Sequence, residues 1–141
     1  VGLLADAYST VGRDREAWPY ALRYRARSED SVWAMGLLGV IAARSNRRAV
    51  ALAYSDSLAS RHSDGKGQAM LSRARIAAAL HDTAAAMHLI RQASAERSQV
   101  MWQHDSDFEE LRGYSDYENL RNPEGAPRKR GTLASLLARS R

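Results

Sequence analysis

Leu4-Ala5-Asp6-Ala7-Tyr8, followed by Gly12 and then Ala17, is the first of three passages in which small and turn-forming residues stand at the same offsets. A shift of 34 residues gives Leu38-Gly39-Val40-Ile41-Ala42, then Asn46 and Ala51. A further shift of 35 gives Arg73-Ala74-Arg75-Ile76-Ala77, then His81 and Ala86. A period near 34, with one small residue in each half of the unit, is the mark of paired antiparallel helices stacked one unit upon the next.

The offsets have a physical meaning. Two helices approach closely only where neither carries a bulky side chain, so Ala5, Gly39 and Ala74 are expected to face Ala17, Ala51 and Ala86 at the crossings. Between each pair lies one turn residue, Gly12, Asn46 or His81. A tight helix-to-helix turn needs a residue at positive φ; Gly adopts it freely, and Asn and His are enriched there. The intervening apolar spacing is helical. Ala51, Tyr54, Ser55 and Leu58 follow i, i+3, i+4, i+7, as do Ala86, Leu89, Ile90 and Ala93. The run Met35, Leu37, Leu38, Val40 and Ile41 is apolar over a wider arc, which suits a helix with neighbours on both sides. An ordinary Ala-rich helical bundle is the competing reading, but composition alone does not account for the coincident turn residues.

This register resembles the tetratricopeptide repeat, over about residues 1–97, in the manner of the C-terminal part of a bacterial protein carrying such repeats. Leu4, Ala5, Tyr8, Gly12 and Ala17 match its pattern in the first unit, and Leu38, Gly39 and Ala51 in the second. The chain departs from it in lacking the unit-ending proline, in Met35 and Met70 where Trp is usual, and in Arg73 where Leu is usual. The resemblance implies an all-α fold, a right-handed α-solenoid of about three helix hairpins, with units near 1–31, 32–66 and 67–97.

Within the units, Asp14 is expected to cap a helix from about 14 to 27, with Glu16 favourable in its first turn. Pro19 is expected to delay or kink that helix, and Ser31 to cap the next. Residues 61–67 read as a polar, Gly-containing loop. Residues 98–123 are acidic, with sparse large apolar side chains at Phe108, Leu111, Tyr114, Tyr117 and Leu120. They suit a cap of one or two short helices over the open end of the array. Asp105 to Arg112, followed by Tyr117 to Leu120, also resembles the short acidic tail that closes many bacterial arrays of this kind. Residues 124–141 are expected to be a basic tail without fixed structure.

Composition excludes several classes. The 141 residues contain no cysteine, so disulfides and thiolate metal sites are absent. No apolar run approaches a membrane span and no secretory signal is visible, so a cytoplasmic protein is expected. Only about eleven residues precede Gly12, short for such a first helix, so the chain is expected to be a piece of a longer protein. The formal charge of +5 is unevenly spread. Residues 1–104 hold 14 basic and 9 acidic side chains, residues 105–127 hold 2 and 7, and the remainder 5 and none. The high isoelectric point thus comes from the tail, which argues against a basic nucleic-acid face on the body.

Catalytic chemistry is not legible. His81 is accounted for by its turn, and His81 and His88 lack a third ligand at suitable spacing. Asp105, Asp107, Glu109 and Glu110 lack the glycine and ligand spacing of a calcium loop and read as a solvated acidic cap. No glycine-rich phosphate loop and no nucleophile–base pair is present. The chain is therefore expected to be no enzyme and to need no cofactor or metal.

The expected activity is protein binding. In tetratricopeptide arrays the first helices of successive units line a concave groove. The resemblance turns Asp6, Trp33, Leu37, Val40, Arg44, Leu71, Ser72 and Arg75 toward it. Trp33, Leu37, Val40, Arg44, Leu71 and Arg75 are the expected partner contacts, the two arginines directed at a carboxylate and the apolar residues at anchors. Trp33 and Leu37 read equally well as core between repeats. Gly2, Asp6, Leu37, Gln68 and Ser72 stand where the chaperone-tail clamp of some arrays has Lys, Asn and Arg, so that activity is not implied. Two alternatives remain. One is a regulatory appendage of a bacterial kinase, nucleotide cyclase or transcriptional regulator. The other is weak anion or membrane binding by Arg128-Lys129-Arg130 with Leu133, Leu136 and Leu137. Self-association through the apolar N-terminal edge, Leu3 and Leu4, is also expected.

Overall fold

The computed structural model describes residues 1–28, 31–61, 67–95 and 106–122. Residues 62–66 of the expected 61–67 loop, the start of the acidic segment at 98–105 and the basic tail at 124–141 lie outside the described residues. Among those described, every regular element is a helix. None of these helices is long and apolar enough to cross a membrane. The chain divides into two units, residues 1–111 and 112–141.

The first unit contains α1 (Gly2–Thr10), α2 (Asp14–Arg27), α3 (Val32–Arg44), α4 (Arg48–Ala59), α5 (Gln68–Ala79), α6 (Thr83–Ala95) and a 3-10 helix (Ser106–Leu111). Helices pack in sequential pairs, α1 with α2, α3 with α4 and α5 with α6, and α3 also contacts α1, α2 and α5. The second unit contains α7 (Ser115–Arg121), in which Arg121 Nη1 lies 3.2 Å from Glu118 Oε2.

The three turns within the pairs are built alike. Gly12, Asn46 and His81 have φ of +75°, +57° and +61°, the left-handed state expected of that register. Each is followed by a residue whose amide reaches back five positions: Arg13 to the Tyr8 carbonyl at 2.8 Å, Arg47 to Ala42 at 2.8 Å, Asp82 to Ala77 at 2.9 Å. The turn residue itself donates to the carbonyl three back, on Ser9, Ala43 and Ala78. These paired bonds satisfy carbonyls that a helix end otherwise leaves open. The Tyr8, Ala42 and Ala77 offset is therefore the third position from each helix end, whose carbonyl closes the turn.

The small residues sit at the crossings. Ala5, Ala17, Ala51, Ala74 and Ala86 are all 0% exposed. A Cβ added to Gly39 would meet the Ile76 side chain of α5 and lie 3.3 Å from Tyr54 Cβ of α4; one added to Gly36 would lie 2.8 Å from Ser72 Oγ and 2.9 Å from Ser72 Cβ. Glycine thus sets how closely α3 approaches α5. Most of α3 is buried, from Ala34 to Ala43 with only Leu37 partly exposed, as the wide apolar arc predicts. The fully buried Leu38, Ile41, Leu58, Leu71, Ile76 and Ile90 each contribute about 1.5–3 kcal/mol by leaving water.

Two local expectations need correction. Ser31 does cap α3, its side chain accepting from the Ala34 amide at 3.1 Å, but Asp14 does not cap α2. It is the first residue of that helix, and Arg13 holds the cap position without a side-chain bond. Asp14 instead accepts from Ser9 Oγ at 3.4 Å, because the preceding turn aims its carboxylate back at the end of α1. Pro19 does not delay α2, which starts at Asp14 and carries the proline inside.

Candidate functional site

A cavity of about 310 Å³ opens on the first helices of the three pairs. From α1 come Asp6, Ser9 and Thr10; from α3, Trp33, Gly36, Leu37 and Val40; from α5, Ser72 and Arg75; and the 3-10 helix adds Ser106 and Asp107. The floor is low because Gly36 has no side chain where it meets Ser72. Trp33 is 39% exposed and fixed edge-on to Tyr24, ring centres 5.0 Å apart. It is therefore an accessible aromatic surface rather than sealed core.

Of the six expected contacts, Trp33, Leu37, Val40 and Arg75 line this cavity together. Val40 shows little of itself, at 2% exposed. Leu71 is 0% exposed and offers a partner no surface. One position before Ser72, it is rotated about 100° around the helix from the residue that faces the cavity. Arg44 is not among the residues lining this cavity; it lines a second cavity of about 490 Å³ with Arg48, His81, Glu109 and Glu110.

Both arginines meet a carboxylate, and it is the chain's own. Asp107 Oδ1 accepts from Arg44 Nη2 at 2.7 Å, and its Oδ2 lies 3.9 Å from Arg75 Nε. Arg44 also donates through Nη1 to the Ser9 carbonyl at 3.3 Å and to Ser9 Oγ at 3.2 Å, and approaches Asp14 Oδ1 at 3.6 Å. One guanidinium thereby ties α1, α2, α3 and the 3-10 helix. Asp107 is held by Phe108 and Leu111, 0% and 1% exposed, in a segment that packs on α5.

From sequence Asp107 reads as part of a solvated acidic cap, and the structure instead engages it. The available signal was the Phe108-x-x-Leu111 pair, which buries one face and fixes the direction of the intervening and flanking residues. Glu110 is engaged too, 2.8 Å from His81 Nδ1 at the turn after α5.

Arg25 of α2 and Arg47, just before α4, are placed differently. The Arg47 guanidinium lies 3.9 Å from the Trp18 ring centre and that of Arg25 5.3 Å from Tyr54, with Arg25 also donating to the Tyr54 hydroxyl at 3.1 Å. These cations are laid on aromatic faces of the fold. At the first turn of α2, Arg13 donates to Glu16 Oε1 at 3.0 and 2.8 Å, and this hydrogen bond holds the Glu16 carboxyl below its ordinary value. Leu3 and Leu4, the expected apolar edge, are 88% and 48% exposed.

Among the described residues, no group of three His, Asp or Glu side chains could hold a metal ion. His62 and His104 lie outside them. No protein-family model, no curated protein and no solved structure matches this chain.

Proposed function

We propose that this chain is a protein-interaction module: a right-handed α-solenoid of tetratricopeptide-type hairpins whose first-helix groove holds a segment of a partner protein. The observation that carries this reading is the convergence of side chains from α1, α3 and α5 on one open cavity, with Trp33 exposed and braced inside it. A partner's apolar side chain would lie against Trp33 and Leu37. A carboxylate would be drawn to Arg75 in this cavity and, where it displaces Asp107, to Arg44 as well. Peptide segments are commonly bound in this way, by a few apolar anchors and one charge-assisted contact.

The test is photo-crosslinking in cells of the source organism. A benzoylphenylalanine placed at Leu37 should give protein adducts, whereas one placed at Leu52, 42% exposed on α4, should give few. Adducts from Leu52 alone would overturn the groove reading. So would capture that disappears on deleting residues 126–141 and ignores Leu37, which would move the interaction to the basic tail.

A further inference from the structure

The 3-10 helix occupies the place where a partner's carboxylate would go. Asp107 bridges Arg44 of α3 and Arg75 of α5, one oxygen toward each, at 2.7 and 3.9 Å. The next residue, Phe108, and Leu111 three further on are buried in the segment packed against α5. Asp107 also lines the Trp33–Leu37 cavity. An acidic residue, an aromatic and a leucine at this spacing are thus held by two guanidinium groups and an apolar seat.

From this juxtaposition we infer that the Arg44–Arg75 seat recognises acidic segments of the form Asp-Phe-x-x-Leu, and that the chain's own residues 106–111 are its intramolecular occupant. A partner segment of the same chemistry binds by displacing them. The inference rests on the groove being the partner site and names what the partner presents there.

The energetics set a condition on the partner. A tethered ligand faces its seat at an effective concentration on the order of millimolar for a short linker, and ten residues of sequence separate α6 from the 3-10 helix. A partner that merely copied Asp107, Phe108 and Leu111 would compete poorly. It gains the advantage by continuing into the adjoining cavity with an apolar residue against Trp33 and Leu37, contacts that the intrachain segment leaves open. Charge complementarity selects the occupant: a lysine or arginine in place of the aspartate would bring a third positive charge against the two guanidinium groups.

The experiment uses the full chain and a fluorescein-labelled peptide spanning residues 105–112, followed by anisotropy. The wild-type chain should bind it weakly, since the seat is filled. The Asp107→Asn/Phe108→Ala chain should bind it at least tenfold more tightly. A peptide carrying D107N should lose at least tenfold on that opened chain, as should the wild-type peptide once Arg44→Ala and Arg75→Ala are added. Asp107→Asn alone keeps Phe108 and Leu111 in place and should give a gain of about threefold, a check that does not depend on the double variant folding. No gain for Asp107→Asn, or equal binding of the two peptides, overturns the inference. Loss of Leu37 adducts bears on the groove reading alone, whereas failure of the peptide with Leu37 adducts retained sinks only the seat.

Discussion

Arg44 Nη2 and Asp107 Oδ1 are 2.7 Å apart across 63 residues of sequence, and this ion pair joins the 3-10 helix to the middle helix pair. The same guanidinium bonds Ser9, which is 5% exposed. Arg44→Ala should therefore destabilise the fold by about 1 kcal/mol, the value for a charge-assisted bond discounted for a side chain a third exposed. A double-mutant cycle with Asp107→Ala should return a coupling of about 0.5 kcal/mol or more. Zero coupling in urea melts would mean that the pair contributes nothing.

The closeness of α3 and α5 makes a second prediction. Gly39→Ala and Gly36→Ala each gain helix propensity, about 0.8–1 kcal/mol, yet place a methyl group against Ile76 and Tyr54 or against Ser72. Overpacking should dominate, with a net loss of about 1–2 kcal/mol. Ala51→Leu, at a crossing residue that is 0% exposed, should lose about 1–3 kcal/mol. Melting temperatures at or above wild type for all three would contradict the crossing geometry.

At the turns, Asn46 and His81 hold positive φ without being glycine. Asn46→Gly should leave stability within about 0.5 kcal/mol of wild type or raise it, because the strain relieved and the chain entropy added nearly cancel. Asn46→Val should cost about 1–2 kcal/mol or more, since a β-branched residue resists this state. Equal stability of the glycine and valine variants would argue against the left-handed turn.

The Arg13–Glu16 pair makes a prediction about acid. Its hydrogen bond lowers the Glu16 carboxyl below the ordinary value. Whatever the pair contributes is therefore present above the unfolded-state value, near pH 4, and is lost as pH falls through the lower folded value. Carboxyl-detected NMR should find the Glu16 midpoint below that of a free glutamate, and Arg13→Ala should return it upward. An unchanged midpoint in Arg13→Ala would assign the shift to the backbone.

Legibility differed between elements for identifiable reasons. Gly12, Asn46 and His81 could be placed from sequence because positive φ is a local demand that few residue types meet. The burial of Ala51, Ala86, Leu89 and Ile90 followed from helical periodicity. Asp14 does not cap α2 as its local preference predicts, because Ser9 and Arg44, which engage it, come from neighbouring elements. Register alone turns Leu71 outward; its burial reflects a rotation of α5 that register does not specify.

The helices, their turns and the small-residue crossings are local properties of the chain, since each depends on side chains a few positions apart or on a repeating backbone requirement. What Arg44 and Arg75 face depends on the packing of the whole chain. Arg44 and Arg75 announce an affinity for carboxylates, but they pair with whichever carboxylate is brought within reach. That partner is Asp107, delivered from beyond α6 because burying Phe108 and Leu111 holds the 3-10 helix on α5. A long-range ion pair of this kind leaves no periodic trace in sequence, for its spacing is set by where apolar surfaces meet.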